Sequence, residues 1–290
     1  MTWTLSGFAD EAGDAIDVQI DTIEQAGFNY IDLRGLDGFN IADLPLDHAQ
    51  QVASKLNDAN IKVGMFGTPL GKIDIADDMQ IDLTKLEHLG KLADVFDCRD
   101  IRVFSYFNEK GATPEEWKTE SLSRLGQLRD LAEKLNLVLY HENERDIFGD
   151  VCDNVLAIAD ALYTGNDGAF RLIFDFDNYN QCDEDVWENW LKLRDRTEAF
   201  HLKDSDKQRQ HVPIGAGAGY AKEIFVDCLE RGWTGHLALE PHLAHSPAVM
   251  ATGPGGVANQ ALADMTDFEA WQVGATTAKE LLNGIGAQFS

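Results

Sequence analysis

The sequence has few cysteines, and it has neither a long apolar run nor a basic leader. Four cysteines in 290 residues, with no Cys-x-x-Cys pair, are too few for a disulfide scaffold and wrongly spaced for a zinc knuckle. No stretch reaches the ~18 apolar residues that a membrane span needs, and the first residues lack the pattern of a signal peptide. We therefore expect a cytoplasmic protein with reduced thiols and no membrane partner.

Basic residues are also scarce. Lysine and arginine number 24 against 50 aspartates and glutamates, so the formal net charge is −26. A field of this sign repels phosphate backbones, which argues against a nucleic-acid partner. The hydrophobic share of 44% is ordinary for a globular chain, and this length can bury a barrel-sized core.

Short apolar runs recur along the chain, and each is followed by a helical pattern. Ile16, Ile20 and Ile23 share one helix face with Gly27 as the stop signal, and Thr113–Glu116 reads as a capping box with proline at the first turn. Continuous apolar runs are typical of strands that are covered on both faces. The predicted strands are Thr4–Phe8, Tyr30–Leu33, Val63–Phe66, Ile101–Tyr106, Val138–Glu142, Leu172–Asp175, Ala199–Leu202 and Leu237–Glu240.

Eight strand–helix units predict an α/β protein with a single (β/α)8 barrel domain over residues 1–290. An open, doubly wound sheet is the alternative, but no Gly-x-Gly-x-x-Gly follows the first strand. One segment, at about residues 244–264 after the eighth strand, is rich in Gly, Ala and Pro and predicts an irregular loop. Its two interpretations are a plain loop and a lid or subunit contact, and assembly into a homo-oligomer stays open.

Four successive predicted strands end in residues that bind metals: Glu142, Asp175, His201 and Glu240. Function in a barrel sits where the strands end. Three carboxylates and one imidazole suit a single divalent cation, for which Mn²⁺ fits best and Mg²⁺, Co²⁺ and Zn²⁺ compete. The alternative for each residue alone is a helix cap or a structural histidine, but four at the same level of consecutive strands favour a metal site.

Residues two positions beyond these ligands share their strand face if the strand geometry continues. They are Glu144, Asp177, Lys203 and His242, which lie further up the rim where a substrate would bind. Lys203 and His242 are the first candidates for substrate contacts, and Arg34, near the end of the second strand, is a further one.

Motifs spread over nearly the whole chain resemble those of a known family. They are Ser6–Glu11, Thr68–Ile73, Ile101–Ser105, His141–Glu144, Phe174–Asp175 with Asn178, His201–Asp204 and Leu239–Pro241. In this order they resemble the sugar phosphate isomerase/epimerase family with the xylose-isomerase-like TIM barrel.

The resemblance implies a divalent metal at Glu142, Asp175, His201 and Glu240, with the two glutamates also serving as the catalytic acid/base pair. Two positions depart from the family pattern. Asn178 stands where many epimerases have a histidine, and Ala216 stands where many relatives have a glutamate. Both departures affect the substrate contacts more than the metal.

The predicted function is a metal-dependent isomerase or epimerase of a small carbohydrate, a keto-sugar or related polyol, with proton transfer through a metal-bound enediolate. The alternatives are a metal-dependent, inosose-type keto-polyol dehydratase and a non-catalytic sugar-binding barrel. A nuclease of the endonuclease IV type shares the barrel, but the charge of −26 and the eight histidines, few of them at strand ends, argue against it.

Overall fold

The computed structural model describes residues 2–165, 168–251 and 259–290. Its eight-stranded sheet runs in the order β2-β3-β4-β5-β6-β7-β8-β1, and all the pairings are parallel. The strands are β1 (Thr4–Gly7), β2 (Tyr30–Leu33), β3 (Lys62–Phe66), β4 (Asp100–Val103), β5 (Val138–Glu142), β6 (Phe170–Asp175), β7 (Thr197–Leu202) and β8 (His236–Leu239). The two end strands, β1 and β2, lie side by side, so that the sheet forms a nearly closed barrel, which confirms the predicted fold.

The predicted strands agree with the observed ones to within two residues at most ends. The exception is the fourth, which was expected to reach Tyr106 but stops at Val103. Tyr106 has a φ of 71°, a left-handed conformation that an extended strand cannot accommodate. The apolar run therefore continues past the strand into a bent segment at the barrel mouth.

Ten α-helices lie in the described ranges. They are α1 (Ile16–Ala26), α2 (Leu46–Asp58), α3 (Gln80–Phe96), α4 (Pro114–Leu135), α5 (Cys152–Leu162), α6 (Phe176–Gln181), α7 (Val186–Leu193), α8 (Ala221–Arg231), α9 (Pro247–Ala251) and α10 (Asp267–Gly284). Gly27 ends α1 in the left-handed conformation, and Thr113 with Glu116 forms the capping box of α4, which confirms both predictions. None of the described helices is long and apolar enough to cross a membrane.

The segment after β8 is more ordered than the composition of residues 244–264 indicates. It contains α9 and a 3-10 turn at Gln260–Leu262. The predicted irregular loop also includes residues 252–258, which lie outside the described residues.

Two short antiparallel pairs extend the barrel mouth, Gly35–Leu36 with Phe39–Asn40 and Asp204–Ser205 with His211–Val212. The second pair starts a loop that is organised by the carboxylate of Asp204. This carboxylate accepts hydrogen bonds from the backbone N–H groups of Gly215, Gly217 and Gly219, each at 3.0 Å. The loop containing Ala216 is thereby tied to the end of β7.

The apolar core lies between the strands and the helices. Its densest part is a group of contacting rings from β6, α6, α7, β7 and α8: Phe174, Phe176, Trp190, Phe200 and Phe225. The barrel interior differs, because its apolar cluster is small: Met65, Tyr140, Ile173 and Ala199. Polar groups fill much of the remaining interior, including the hydrogen-bonded set of Ser6, Asp32 and His236.

Candidate metal centre

The four predicted ligands converge at one end of the barrel. Glu142 and Asp175 are the last residues of β5 and β6, His201 lies one residue before the end of β7, and Glu240 follows β8. Asp175 pairs with His201 in the sheet register, which places their side chains at the same level. One ligand atom from each of the four residues lies within 4.8 Å of the others, and all four residues are buried.

The donor atoms of this cluster fit a divalent cation. Glu142 Oε2, Asp175 Oδ2 and Glu240 Oε2 are buried and have no hydrogen-bond partner among the described residues. His201 faces the same space, with Nδ1 2.8 Å from Glu142 Oε1 and 3.3 Å from Glu240 Oε2. Buried carboxylate oxygens that accept no hydrogen bond are costly. Lys203 Nζ, 3.1 Å from Asp175 Oδ2, offsets only part of this cost, and a cation shared by the three oxygens would remove it. The donor set of three carboxylates and one imidazole therefore suits a divalent metal ion.

Without a bound cation, the pKa values of the residues in the cluster shift in different directions. Burial favours the neutral form of Glu142, but His201 and Arg102 outweigh burial and lower its pKa to about 2. Burial also opposes the charged form of His201, but the two glutamates raise its pKa to about 9. Burial raises the pKa of Asp175 well above its usual value, and Lys203 only partly opposes this. Within one cluster, the pKa of Glu142 is therefore lowered while the pKa values of Asp175 and His201 are raised.

Two asparagines hold the ligands of β5 and β6 in place. Asn143 donates to the backbone carbonyl of Asp175 at 3.1 Å and accepts from its N–H at 2.9 Å. Asn178 donates its backbone N–H to Asp175 Oδ1 at 2.8 Å and its side-chain N–H to the carbonyl of Asn143 at 2.8 Å. Its Nδ2 also lies 3.4 Å from Glu142 Oε1. Outer contacts of this kind fix the orientation of metal ligands.

Three more of the predicted residues lie against the cluster. Lys203 Nζ is 3.1 Å from Asp175 Oδ2 and 3.8 Å from Glu240 Oε2. His242 Nε2 is 3.6 Å from Glu240 Oε1. Arg34 donates to Glu240 and also holds Asp10 by two hydrogen bonds of 2.8 and 2.9 Å. The structure therefore brings Lys203, His242 and Arg34 to the predicted site.

Glu144 and Asp177 find their nearest partners outside the four-residue cluster, although both remain close enough to Lys203 to raise its pKa. Glu144 pairs with Lys72 at 2.9 Å on the rim. Asp177 lies 3.3 Å from His211 and accepts from Gln181 at 3.0 Å. The assumption of continued strand geometry is wrong for Asp177, because α6 begins directly after Asp175 and the side-chain period changes from two to 3.6 residues.

Sequence reasoning gave no role to several residues of this site. Asp10 and Glu11 follow β1 and approach Arg34, and Arg102 of β4 lies 3.4 Å from Glu142 Oε2 and 3.7 Å from Glu240 Oε1. Arg102 carried a usable signal, because a charged residue between Ile101 and Val103 is exceptional in a strand buried on both faces.

The barrel and its buried acidic cluster define a protein with a candidate metal centre at the mouth of a (β/α)8 fold. The chain belongs to the xylose isomerase-like TIM barrel family, whose sequence profile matches residues 20–262. No curated protein sequence matches this chain significantly.

Solved structures similar to this chain share its fold at low sequence identity. D-psicose 3-epimerase from Clostridium cellulolyticum H10, solved with D-tagatose, has a TM-score of 0.73 and 11% identity, covering 96% of this chain and 99% of that one. The IOLI protein with a bound zinc atom has a TM-score of 0.72 and 15% identity, with coverage of 97% and 99%. The probable 3-DHS dehydratase of petrobactin synthesis from Bacillus anthracis has a TM-score of 0.70 and 16% identity, with coverage of 96% and 99%.

Proposed function

We propose that this protein is a divalent-metal-dependent isomerase or epimerase of a keto-sugar or a related polyol. The observation that carries the proposal is the pair of buried glutamates, Glu142 and Glu240, in one cluster with Asp175 and His201. The strands β5 and β8 are separated by β6 and β7, so the two carboxylates enter the site from different sides. Two carboxylates that approach one carbon from two directions suit proton removal and proton return.

The four side chains of the cluster would hold one divalent ion, and the oxygen-rich donor set favours Mn²⁺ over Mg²⁺, Co²⁺ and Zn²⁺. A bound ion would polarise a substrate carbonyl and raise the acidity of the neighbouring C–H group. The zinc atom in one similar structure shows that a related fold accepts such an ion.

The protein's own groups would carry the proton. In the proposed reaction one glutamate takes the proton from the substrate carbon. The other glutamate, protonated, returns one to the opposite face in an epimerisation or to the adjacent carbon in an isomerisation. Lys203 and His242 lie beside Glu240 and are proposed to bind substrate hydroxyl groups. Arg34, Asn178 and Glu144 are the further proposed substrate contacts.

The proposal is tested by proton exchange on a ketose panel. The Mn²⁺-loaded protein is incubated in D₂O with D-psicose, D-tagatose, D-fructose and L-ribulose, and deuterium incorporation at the carbons next to the carbonyl is followed by NMR. We expect exchange with at least one ketose. We expect Glu240→Gln to lose exchange when it is assayed at a Mn²⁺ concentration at which elemental analysis shows the variant to be loaded with metal.

A matched control is Glu198→Gln, because Glu198 is a largely buried glutamate near the start of β7 and outside the cluster. We expect it to retain exchange. Full exchange in Glu240→Gln contradicts the proposed role of Glu240, and no exchange with any ketose contradicts the isomerase proposal. A product lighter by one water identifies a dehydratase instead.

A further inference from the structure

Arg102 is a buried guanidinium beside the candidate metal centre, and one of its donors, Nε, has no acceptor among the described residues. The residue is 5% exposed, and its Nε makes no hydrogen bond to the described residues. Its nearest carboxylate oxygens, on Glu142 and Glu240, are 3.4 and 3.7 Å from Nη1. Charge-assisted hydrogen bonds are normally about 2.7–2.9 Å long. A buried donor without a partner is costly, so this geometry suits a site that an incoming oxygen completes.

Two other cationic side chains, Arg34 and Lys72, lie close to Arg102, and each of them has a carboxylate partner. Arg34 and Arg102 both lie against the ring of Phe8, at 4.9 and 5.1 Å from its centroid. Arg102 and Lys72 both lie against the ring of Phe104, at 4.9 and 4.2 Å. Arg34 is held by Asp10, and Lys72 is held by Glu144. Arg102 contacts both rings, and among the described residues its nearest carboxylate oxygens lie 3.4 and 3.7 Å from Nη1, longer than a usual charge-assisted hydrogen bond.

The two phenyl rings restrict what Arg102 can do. Aromatic contacts hold a guanidinium by its face, and they leave its N–H edge as the part that can donate. That edge reaches the space between Glu142 and Glu240. Any group that Arg102 binds there lies next to the carbon on which the two glutamates are proposed to act.

We propose that Arg102 is a catalytic residue that donates hydrogen bonds to the substrate oxygen on which negative charge develops during proton transfer. This inference rests on the proposed function. In the step, a glutamate oxygen takes the proton and the C–H electron pair becomes the new C=C bond. The carbonyl π pair moves to the oxygen, and Arg102 stays protonated throughout. Preorganised donors aimed at developing charge are a large source of rate enhancement.

A purely structural role as a counter-ion of the glutamates fits the distances less well. His201 already contacts Glu142 at 2.8 Å, and Arg34 already donates to Glu240. A structural counter-ion would be expected within hydrogen-bond distance of its carboxylate, as these two groups are, rather than at 3.4 Å or more.

The test compares Arg102→Lys and Arg102→Gln with the wild-type protein. The substrate is a ketose of the panel on which the wild-type protein catalyses proton exchange. Loss of one oxyanion donor predicts a decrease in kcat of about 100- to 1000-fold. We expect KM and the bound-metal content to change far less. The matched control is Arg124→Gln, because Arg124 is 7% exposed and lies 5.4 Å from the ring of Tyr106, paired with Glu120 on the outer helix α4. This control is expected to lose stability but to keep kcat.

A second measurement distinguishes a structural role of Arg102 from its direct contact with the reacting oxygen. Arg102→Ala removes the guanidinium from between Phe8 and Phe104, and added guanidinium chloride at non-denaturing concentration is expected to restore kcat by at least about tenfold. It should leave the wild-type protein and Arg124→Ala unchanged. Glycolohydroxamate, a planar anionic analogue of an enediolate, should bind Arg102→Gln more weakly than the wild-type protein by calorimetry.

The outcomes distinguish the two proposals. If the wild-type protein exchanges a ketose but Arg102→Gln keeps kcat within a few-fold and guanidinium has no effect, the role of Arg102 is wrong and the isomerase proposal stands. If the wild-type protein neither exchanges a ketose nor binds glycolohydroxamate, the proposed function fails and the role of Arg102 fails with it.

Discussion

The candidate metal centre predicts a defined thermal stabilisation by Mn²⁺. A ligand that binds the folded state alone, at a concentration of 100 times its Kd, adds about 2.7 kcal/mol to the free energy of unfolding. Unfolding entropy is about 2.1 cal/mol/K per residue, and for 290 residues this gives about 0.6 kcal/mol/K. The expected rise in Tm is therefore about 4 °C, measured by calorimetry on the metal-stripped protein before and after addition of Mn²⁺.

The variant Asp175→Asn tests whether the rise in Tm comes from Mn²⁺ binding at the cluster. It changes one of three carboxylates that each have one buried oxygen without a hydrogen-bond partner among the described residues. If Kd increases 100-fold or more, the same Mn²⁺ concentration contributes about 0.4 kcal/mol or less, so Tm rises by less than about 1 °C. Glu198→Gln serves as the control, since it changes a glutamate outside the cluster, and it is expected to keep the full rise.

The variant is essential because the chain carries a net charge of −26. Divalent cations also bind weakly to exposed carboxylates and screen their repulsion, which raises Tm without a specific site. A rise in Tm that is equal in the wild-type protein and in Asp175→Asn would show that Mn²⁺ acts through the surface, and it would refute the assignment of the cluster.

Three further predictions concern stability and metal affinity. Burial raises the pKa of Glu198 from an ordinary 4.5 to about 7. The contribution of Glu198 to the free energy of unfolding is therefore fully present below pH 4.5 and is lost as the pH rises through 7. Glu198→Gln should therefore gain about 2 kcal/mol in urea unfolding at pH 8 and little at pH 5, and equal gains would contradict this. Asn143→Ala removes the amide pair with Asp175 and should weaken Mn²⁺ binding about 10- to 100-fold in calorimetry, whereas an unchanged Kd would show that the pair does not position the ligand. Gly71→Ala places a Cβ 2.1 Å from a carbonyl oxygen at a φ of +81° and should cost more than about 3 kcal/mol. Gly38→Ala, at a φ of +84° with nothing within 4 Å, should cost only about 1–2 kcal/mol, and equal losses would show that the contact is unimportant.

The barrel was predictable because its signals are local. Each strand is a short apolar run, and the end of each run can be read from the sequence. Glu142, Asp175, His201 and Glu240 could therefore be placed at the same end of the barrel without knowledge of any contact. Lys203 and His242, which were expected on the same rim, also lie beside Glu240, and their role in substrate binding stays a prediction. The same reasoning failed for Asp177, where α6 starts without a loop, since the onset of a helix changes the direction of every later side chain.

The sequence did not predict which charged residues contact the metal ligands. Arg34 and Asp10 follow different strands, and their pairing depends on the closeness of β1 and β2 at the barrel seam. Arg102 lies inside an apolar run, and its contact with Phe8 depends on the approach of two separate segments, the ends of β1 and β4. Contacts of this kind follow from the closed barrel rather than from any spacing in the sequence, so they emerge only once the strands are assembled.

The charges of the cluster explain how one buried site can exist with and without a cation. Without a cation, burial raises the pKa of Asp175 well above its usual value, and the two glutamates raise the pKa of His201 to about 9 against the effect of burial. A metal ion needs the neutral imidazole and the ionised carboxylate, so its binding releases protons from the cluster. The protons that leave offset part of the positive charge that enters. Arg34, Arg102 and Lys203 consequently face a change in charge smaller than the charge of the ion, which favours the same side-chain arrangement with and without metal.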